Sequence, residues 1–322
     1  MARRRNERPL RSRVMGSGRP RKRFGQHFLA PGWARQVVAA IDPSPGDVFL
    51  EIGPGRGALT LPLADSGAPI LAVEIDRDLV ADLAKHVPGN VTVLSGDILR
   101  VDVVAFLSGL EPQQPAITAR KAPPLLPRTP SPPAGGGDPP AQLVPAGLKP
   151  ARRFRVVGNL PYNISAPILF RLLEFHRRLG FFSDATVMLQ REVADRLLAR
   201  PGTKDYGVLT VLTAAHASVS RLLELPPGAF IPAPKVRSTV VRVTFGGALR
   251  LSDEALFDRI VRTMFQQRRK TLANALKPLH ARAAEIVAGA GLDGRRRPET
   301  LQVTEIARLA EQFASASRPP VL

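Results

Sequence analysis

The strongest constraint on this chain is the stretch VFLEIGPGRGALT, Val48 to Thr60, an apolar run that ends in an acid, Glu51, and meets glycines at 53, 55 and 57. An apolar run bounded by glycines reads as a buried strand. The glycines let the backbone turn tightly and come close to a ligand before a helix expected over Ala58 to Leu63. A nucleotide-like cofactor is expected in that turn. The next apolar run, ILAVEID, ends in Glu74, where a nucleotide-binding βαβ unit puts an acid on a ribose hydroxyl pair. VTVLSGD repeats the form, with Asp97 at the strand end.

Glycine spacing of this kind serves NAD, FAD and S-adenosylmethionine (SAM) alike, and Gly53-x-Gly55-x-x-Ala58 fits the dinucleotide form as well. Two further features favour SAM. Glu51 stands two places before the first glycine, and Asn159-Leu160-Pro161-Tyr162 follows a fourth predicted strand, Phe154 to Gly158. Together they resemble class I SAM-dependent methyltransferases that act on an amino nitrogen. The residue types have a direct chemical reading. An exocyclic adenine amine is a poor nucleophile because its lone pair is delocalised into the ring. The Asn159 side-chain oxygen and the Leu160 carbonyl, aimed at its two N–H groups, favour a pyramidal nitrogen whose lone pair points at the methyl donor. Pro161 restricts Leu160 to extended backbone and so holds that carbonyl. Tyr162 offers a ring for a flipped-out base, and Phe230, the single aromatic of the proline-stiffened loop PPGAFIPAPK, is the expected second stacking wall.

The charge balance points to the partner. A net charge of +19 with a pI near 11.4 favours a polyanion, nucleic acid first. Residues 1–23 carry ten Arg and Lys against the one acid Glu7, so nearly half the net charge sits in a basic arm, 1–22, expected to be disordered when free. Residues 111–150 hold twelve prolines and a glycine triplet, and are expected to be a disordered insertion between the third and fourth strands. The remainder divides into an α/β domain over 23–247 and a small helical domain over 248–322, basic at Arg268-Arg269-Lys270 and Arg295-Arg296-Arg297. No apolar run is long enough for a membrane span and no signal peptide is recognisable, so a cytoplasmic protein without a membrane partner is expected, as a monomer. The absence of cysteine excludes disulfides, thiolate metal sites and base methylation through a cysteine nucleophile, and no metal is expected.

RKRFGQHFL, EIGPGRGALT, EID, NLPYNIS, MLQREVADRL, PPGAFIPAPKV and FQQRRKTL together resemble the KsgA family of small-subunit ribosomal RNA adenine dimethyltransferases, from about Arg21 to the end of the chain. The resemblance implies a Rossmann-like, mostly parallel seven-stranded sheet with a small C-terminal helical domain. It implies SAM-dependent N6,N6-dimethylation of two adjacent adenosines in the 3′-terminal hairpin of small-subunit RNA, on a 30S particle late in assembly. By position it implies cofactor contacts at His27, Leu29, Gly53, Glu74, Asp97 and Asn159, with Gly55 in the same turn. His27 stands where many members have Asn, and the basic arm and the 111–150 insertion are additions. Two other classes remain open. An Erm-type methyltransferase acts on a large-subunit RNA adenine, but NLPYNIS and FQQRRKTLANAL argue against it. A non-catalytic assembly factor that kept the fold is disfavoured by the intact glycine turn, Glu74 and NLPY.

Overall fold

The computed structural model describes residues 26–103, 153–180, 182–246 and 249–316. The basic arm and the 111–150 insertion lie outside these residues, as do the last six. The chain begins with β1 (Phe28–Leu29) and α1 (Pro31–Ile41), then alternates β2 (Asp47–Ile52), α2 (Thr60–Ala64), β3 (Ile70–Glu74), α3 (Arg77–Leu83) and β4 (Val91–Ser95). It continues with β5 (Arg153–Asn159), α4 (Ser165–Leu179), β6 (Phe182–Gln190), α5 (Arg191–Leu197) and α6 (Val208–His216). Strands β7 (Ala217–Leu225), β8 (Phe230–Ile231) and β9 (Ser238–Phe245) follow, and then α7 (Glu254–Gln266), α8 (Leu272–Leu276), α9 (Ala283–Gly289) and α10 (Val303–Ala316).

Seven strands form one sheet in the order β4-β3-β2-β5-β6-β9-β7. The pairs from β4 to β6 are parallel, and β9 runs antiparallel to both its neighbours. β2 and β3 are buried at every position, which is why they read as unbroken apolar runs rather than alternating ones. One face packs Leu50, Leu71, Val156 and Val187 under α4 and α5; the other packs Phe49, Ile70, Ala72 and Val157 under α1 and α2. The sheet order reverses between β2 and β5, so the turns after these two strands open a crevice at their C-terminal ends, where open α/β sheets take their ligands.

Two expectations shift. The helix after the glycine turn starts at Thr60 rather than Ala58, because Gly53, Gly55 and Gly57 all take positive φ and the chain keeps turning through Leu59. The C-terminal helices form a core of their own from Phe257, Ile260, Leu276, Val287 and Phe313, but Tyr206, Val211 and Leu212 from the loop before α6 and from α6 itself belong to it. The Tyr206 hydroxyl donates to the Leu301 carbonyl at 2.8 Å inside that core. The helical layer is thus built on α6, which the sequence reading assigned wholly to the α/β part.

At the opposite end of the sheet from the crevice, Arg155 is buried and ties α1 to three strands. Its guanidinium meets Asp47 at 2.9 Å and Asp184 at 3.0 Å, and donates to the Ile41 carbonyl at 2.7 Å. Arg242 donates to the Ala40 carbonyl at 2.6 Å, so two cations cap the C-terminal end of α1. Replacing Arg155 by Met leaves the fully buried Asp47 facing an apolar chain, a loss of about 3–5 kcal/mol of folding stability. Urea unfolding of the Arg155→Met variant measures this; a loss below about 1 kcal/mol contradicts it.

Candidate active site

The crevice is lined by the glycine turn, the ends of β3, β4 and β5, and the N-terminal segment Gln26 to Leu29. That segment is a strap across the strand ends. Leu29 pairs with Phe230 and Phe28 with Ile231, the Ala30 amide donates to the Ala229 carbonyl at 2.8 Å, and Gln26 donates to Asp76 at 3.2 Å. The Phe28 ring lies under the Arg56 guanidinium, 4.5 Å away, and directly over Gly55, where an added Cβ would stand 3.1 Å from it. Gly55 is therefore required twice, by its φ of 56° and by the strap above it.

Three carboxylates face this space and no lysine or arginine among the described residues lines it. Glu74, at the end of β3, accepts from the Gly55 amide at 3.1 Å and from the Asp76 amide at 2.9 Å, which locks its carboxylate between the two turns. Burial raises its pKa, partly offset by those amides. Asp97, just after β4, accepts from the Leu99 amide at 3.0 Å. Glu51 is buried at the end of β2 with Oε2 unpartnered. Burial pushes its pKa up to about 8, the neighbouring Thr60 hydroxyl lowers it and Glu74 raises it further. Ile75, exposed, and Leu79 and Ile98 add apolar walls. The same carboxylates that repel a pyrophosphate suit a cationic ligand.

The NLPY turn lies beside the glycine turn. Asn159 ends β5; its Nδ2 donates to the His27 carbonyl at 2.7 Å, while Oδ1 is buried and has no partner. The amide of Leu160 donates to the Met188 carbonyl at 3.2 Å, and no donor among the described residues reaches its own carbonyl. Tyr162 is half-buried, its hydroxyl 2.6 Å from Ser238 Oγ at the start of β9. His27, Leu29, Gly53, Gly55, Glu74, Asp97, Asn159, Leu160, Pro161 and Tyr162 thus come together around one space.

Phe230 does not join them. It is 2% exposed, its ring packed into the core below the strap, and the neighbour facing solvent is Ile231. The pairing Leu29↔Phe230 places the two residues directly opposite in β1 and β8, and both are buried. Residues missed from sequence include Ser238, which orients Tyr162, and Gln26, Asp76 and Arg56, which anchor the strap. Polar residues at strand starts and helix caps carry no signal of a partner so far away in sequence.

A doubly wound sheet with an acid-lined crevice at the glycine turn, and buried unpaired acceptors on an Asn-Leu-Pro-Tyr turn, defines a class I SAM-dependent methyltransferase acting on an amine. Residues 18–315 match the family of ribosomal RNA adenine dimethylases, and the chain belongs to it. It is 39% identical over 307 residues to the ribosomal RNA small subunit methyltransferase A of Aromatoleum aromaticum, covering 94% of this chain and 97% of that one. It is 40% identical over 306 residues to the protein of the same name from Pseudomonas fluorescens, covering 94% and 96%. Among solved structures, a dimethyladenosine transferase from Plasmodium falciparum shares the fold with a TM-score of 0.65 at 22% identity, over 90% of this chain and 98% of that chain. The 23S rRNA methyltransferase ErmE does so with 0.55 at 23% identity, over 89% and 99%. The enzyme is a SAM-dependent ribosomal RNA adenine dimethyltransferase. No described helix is long and apolar enough to cross a membrane.

The raised pKa of Glu51 makes a stability prediction. Its side chain titrates near 4.5 when unfolded and near 8 when folded, so between these values the folded state holds the extra proton and stability falls as pH rises. Below about pH 4.5 both states are protonated and the cost vanishes. Glu51→Gln is therefore expected to stabilise the SAM-free protein by roughly 1–4 kcal/mol at pH 8 and to have little effect at pH 4.5. Denaturant unfolding at the two pH values checks it, and a pH-independent difference rules it out.

Proposed function

We propose that this enzyme dimethylates N6 of two adjacent adenosines in the 3′-terminal hairpin of small-subunit ribosomal RNA, acting as a cytoplasmic monomer on an assembling 30S particle. The observation that carries the chemistry is the buried, unpartnered Asn159 Oδ1 beside the free Leu160 carbonyl in an acid-lined crevice. The small-subunit assignment is supported by near full-length relatives named for that subunit at 39–40% identity. The net charge of +19 supports a large RNA footprint.

The residues present fit SAM. The glycine turn is the cradle, Glu74, held between the two turns, faces the ribose hydroxyls, and Asp97 and the Leu29 backbone close the two sides. Bound there, SAM supplies a methyl group activated by its sulfonium. Asn159 holds the amine. Its Nδ2 is committed to the His27 carbonyl, so only Oδ1 is left to face the substrate, as an acceptor. Oδ1 takes one N6–H and the Leu160 carbonyl takes the other, which localises the lone pair on nitrogen and directs it at the methyl carbon. Pro161 keeps Leu160 extended. N6 gains positive charge as its new C–N bond forms and the methyl–sulfur bond breaks, the electron pair leaving on sulfur, and N6 then releases a proton to water, so no side-chain base is needed. Tyr162 stacks on the extruded base.

Two measurements test this. Given labelled SAM, the enzyme is expected to methylate immature small-subunit particles at adenine N6 and to leave mature large-subunit RNA unlabelled; label confined to the large subunit makes the Erm-type reading correct. Asn159→Ala is expected to slow single-turnover methylation on the order of 10²- to 10³-fold with particle affinity unchanged, since affinity comes from Arg and Lys contacts to phosphate. A variant that keeps near-full rate removes Asn159 from the mechanism.

A further inference from the structure

With Phe230 buried, the ring beside Tyr162 is that of His27. The two ring centroids are 5.5 Å apart and their planes 25° from parallel. Both rings are fixed from outside the stack. His27 Nδ1 lies 2.8 Å from the Pro232 carbonyl, which can only accept, so Nδ1 carries the proton and the ring is tied to the loop between β8 and β9. Tyr162 is fixed at its far edge by Ser238. A base inserted between two rings needs a stacking interval of about 3.4 Å on each side, roughly 7 Å between centroids. At 5.5 Å the gap between the two rings admits none.

The same residue reaches the second element of the site, because the His27 carbonyl takes the Asn159 amide proton and leaves Oδ1 turned to the crevice. We propose that His27 is a positioning residue for methyl transfer: its ring backs Tyr162 and its carbonyl orients Asn159, so that stacking face and acceptor are presented to adenine in fixed register. This rests on the adenine N6 reading above and assigns the His27 ring a role toward the substrate side of the site rather than toward SAM. It also gives the ring a use that an asparagine at this position lacks, since an amide offers no aromatic face to Tyr162.

Side-chain variants leave the backbone carbonyl in place, so they test the ring alone. The readouts are the single-turnover methylation rate on immature small-subunit particles at saturating SAM, the SAM dissociation constant by calorimetry, and the melting temperature. His27→Ala is expected to slow the rate about 3- to 10-fold with SAM affinity within about twofold of wild type. His27→Phe, which keeps a ring face, is expected to recover most of the rate, and His27→Gln, with bulk but no ring, is not. In a Tyr162→Ala background, loss of the His27 ring is expected to add little, because the two act as one stack. The proposal is overturned if SAM affinity weakens in step with the rate, if His27→Phe is no better than His27→Gln, or if the His27 and Tyr162 losses multiply. Should His27→Ala lower the melting temperature, the Phe and Gln comparison carries the test. Failure of the adenine reading itself is separately visible, as absence of N6-methylated adenosine from the wild-type reaction.

Discussion

The site depends on how closely two parallel strands approach at their C-terminal ends. Gly158, the penultimate residue of β5, pairs with Ile52, the last of β2, and a Cβ at Gly158 would stand 2.5 Å from the Ile52 carbonyl oxygen. Only glycine permits that contact. One residue further along each strand, the backbone emerges as Gly53 on one side and Asn159 on the other, and a Cβ at Gly53 would lie 3.9 Å from the Asn159 carbonyl. The cofactor turn and the catalytic turn are thus neighbours because two strands touch. The strap then spans both, with Phe28 over Gly55 and the His27 carbonyl on Asn159. Methyl donor and amine must meet within bonding distance, and the sheet enforces it by backbone contact, the least deformable means available.

What was legible in the sequence follows from this geometry. A glycine turn, the acids at strand ends and the Asn-Leu-Pro-Tyr turn are local patterns whose chemistry depends on neighbours in the chain, and each lands in the crevice. Buried parallel strands announce themselves as apolar runs, so β2, β3 and β5 were readable, with ends off by a residue or two where turns compete. Phe230 reads from sequence as a stacking wall in a proline-stiffened loop, and its burial opposite Leu29 comes from a pairing with a strand some two hundred residues earlier, which no local pattern signals. The contacts of Ser238, Arg56, Asp76 and Arg155 were invisible because each joins elements far apart in the chain. The sharing of α6 between the sheet layer and the helical core was hidden likewise, since an all-round apolar helix gives no sign of which neighbours it serves.

Charge is partitioned between two partners of opposite sign. The chain is strongly basic, yet the crevice presents Glu51, Glu74 and Asp97 with no cationic side chain among its described lining. A cationic methyl donor is drawn to the Glu74 and Asp97 carboxylates at short range, while Glu51, its pKa pushed up to about 8 by burial, adds a polar rather than a charged wall. A phosphate backbone is drawn to the outer arginines and lysines over a screening length of about 8–10 Å. Had the crevice been basic, an RNA phosphate would compete for it; because it is acidic, only the uncharged base is admitted to it. In the proposed mechanism that base leaves its stack to enter, and the Tyr162 face, backed by His27 and pinned by Ser238, replaces the stacking it gives up. The acids therefore select for the donor and against the wrong part of the acceptor at once, which is why no lysine or arginine among the described residues lines the crevice of so basic a chain.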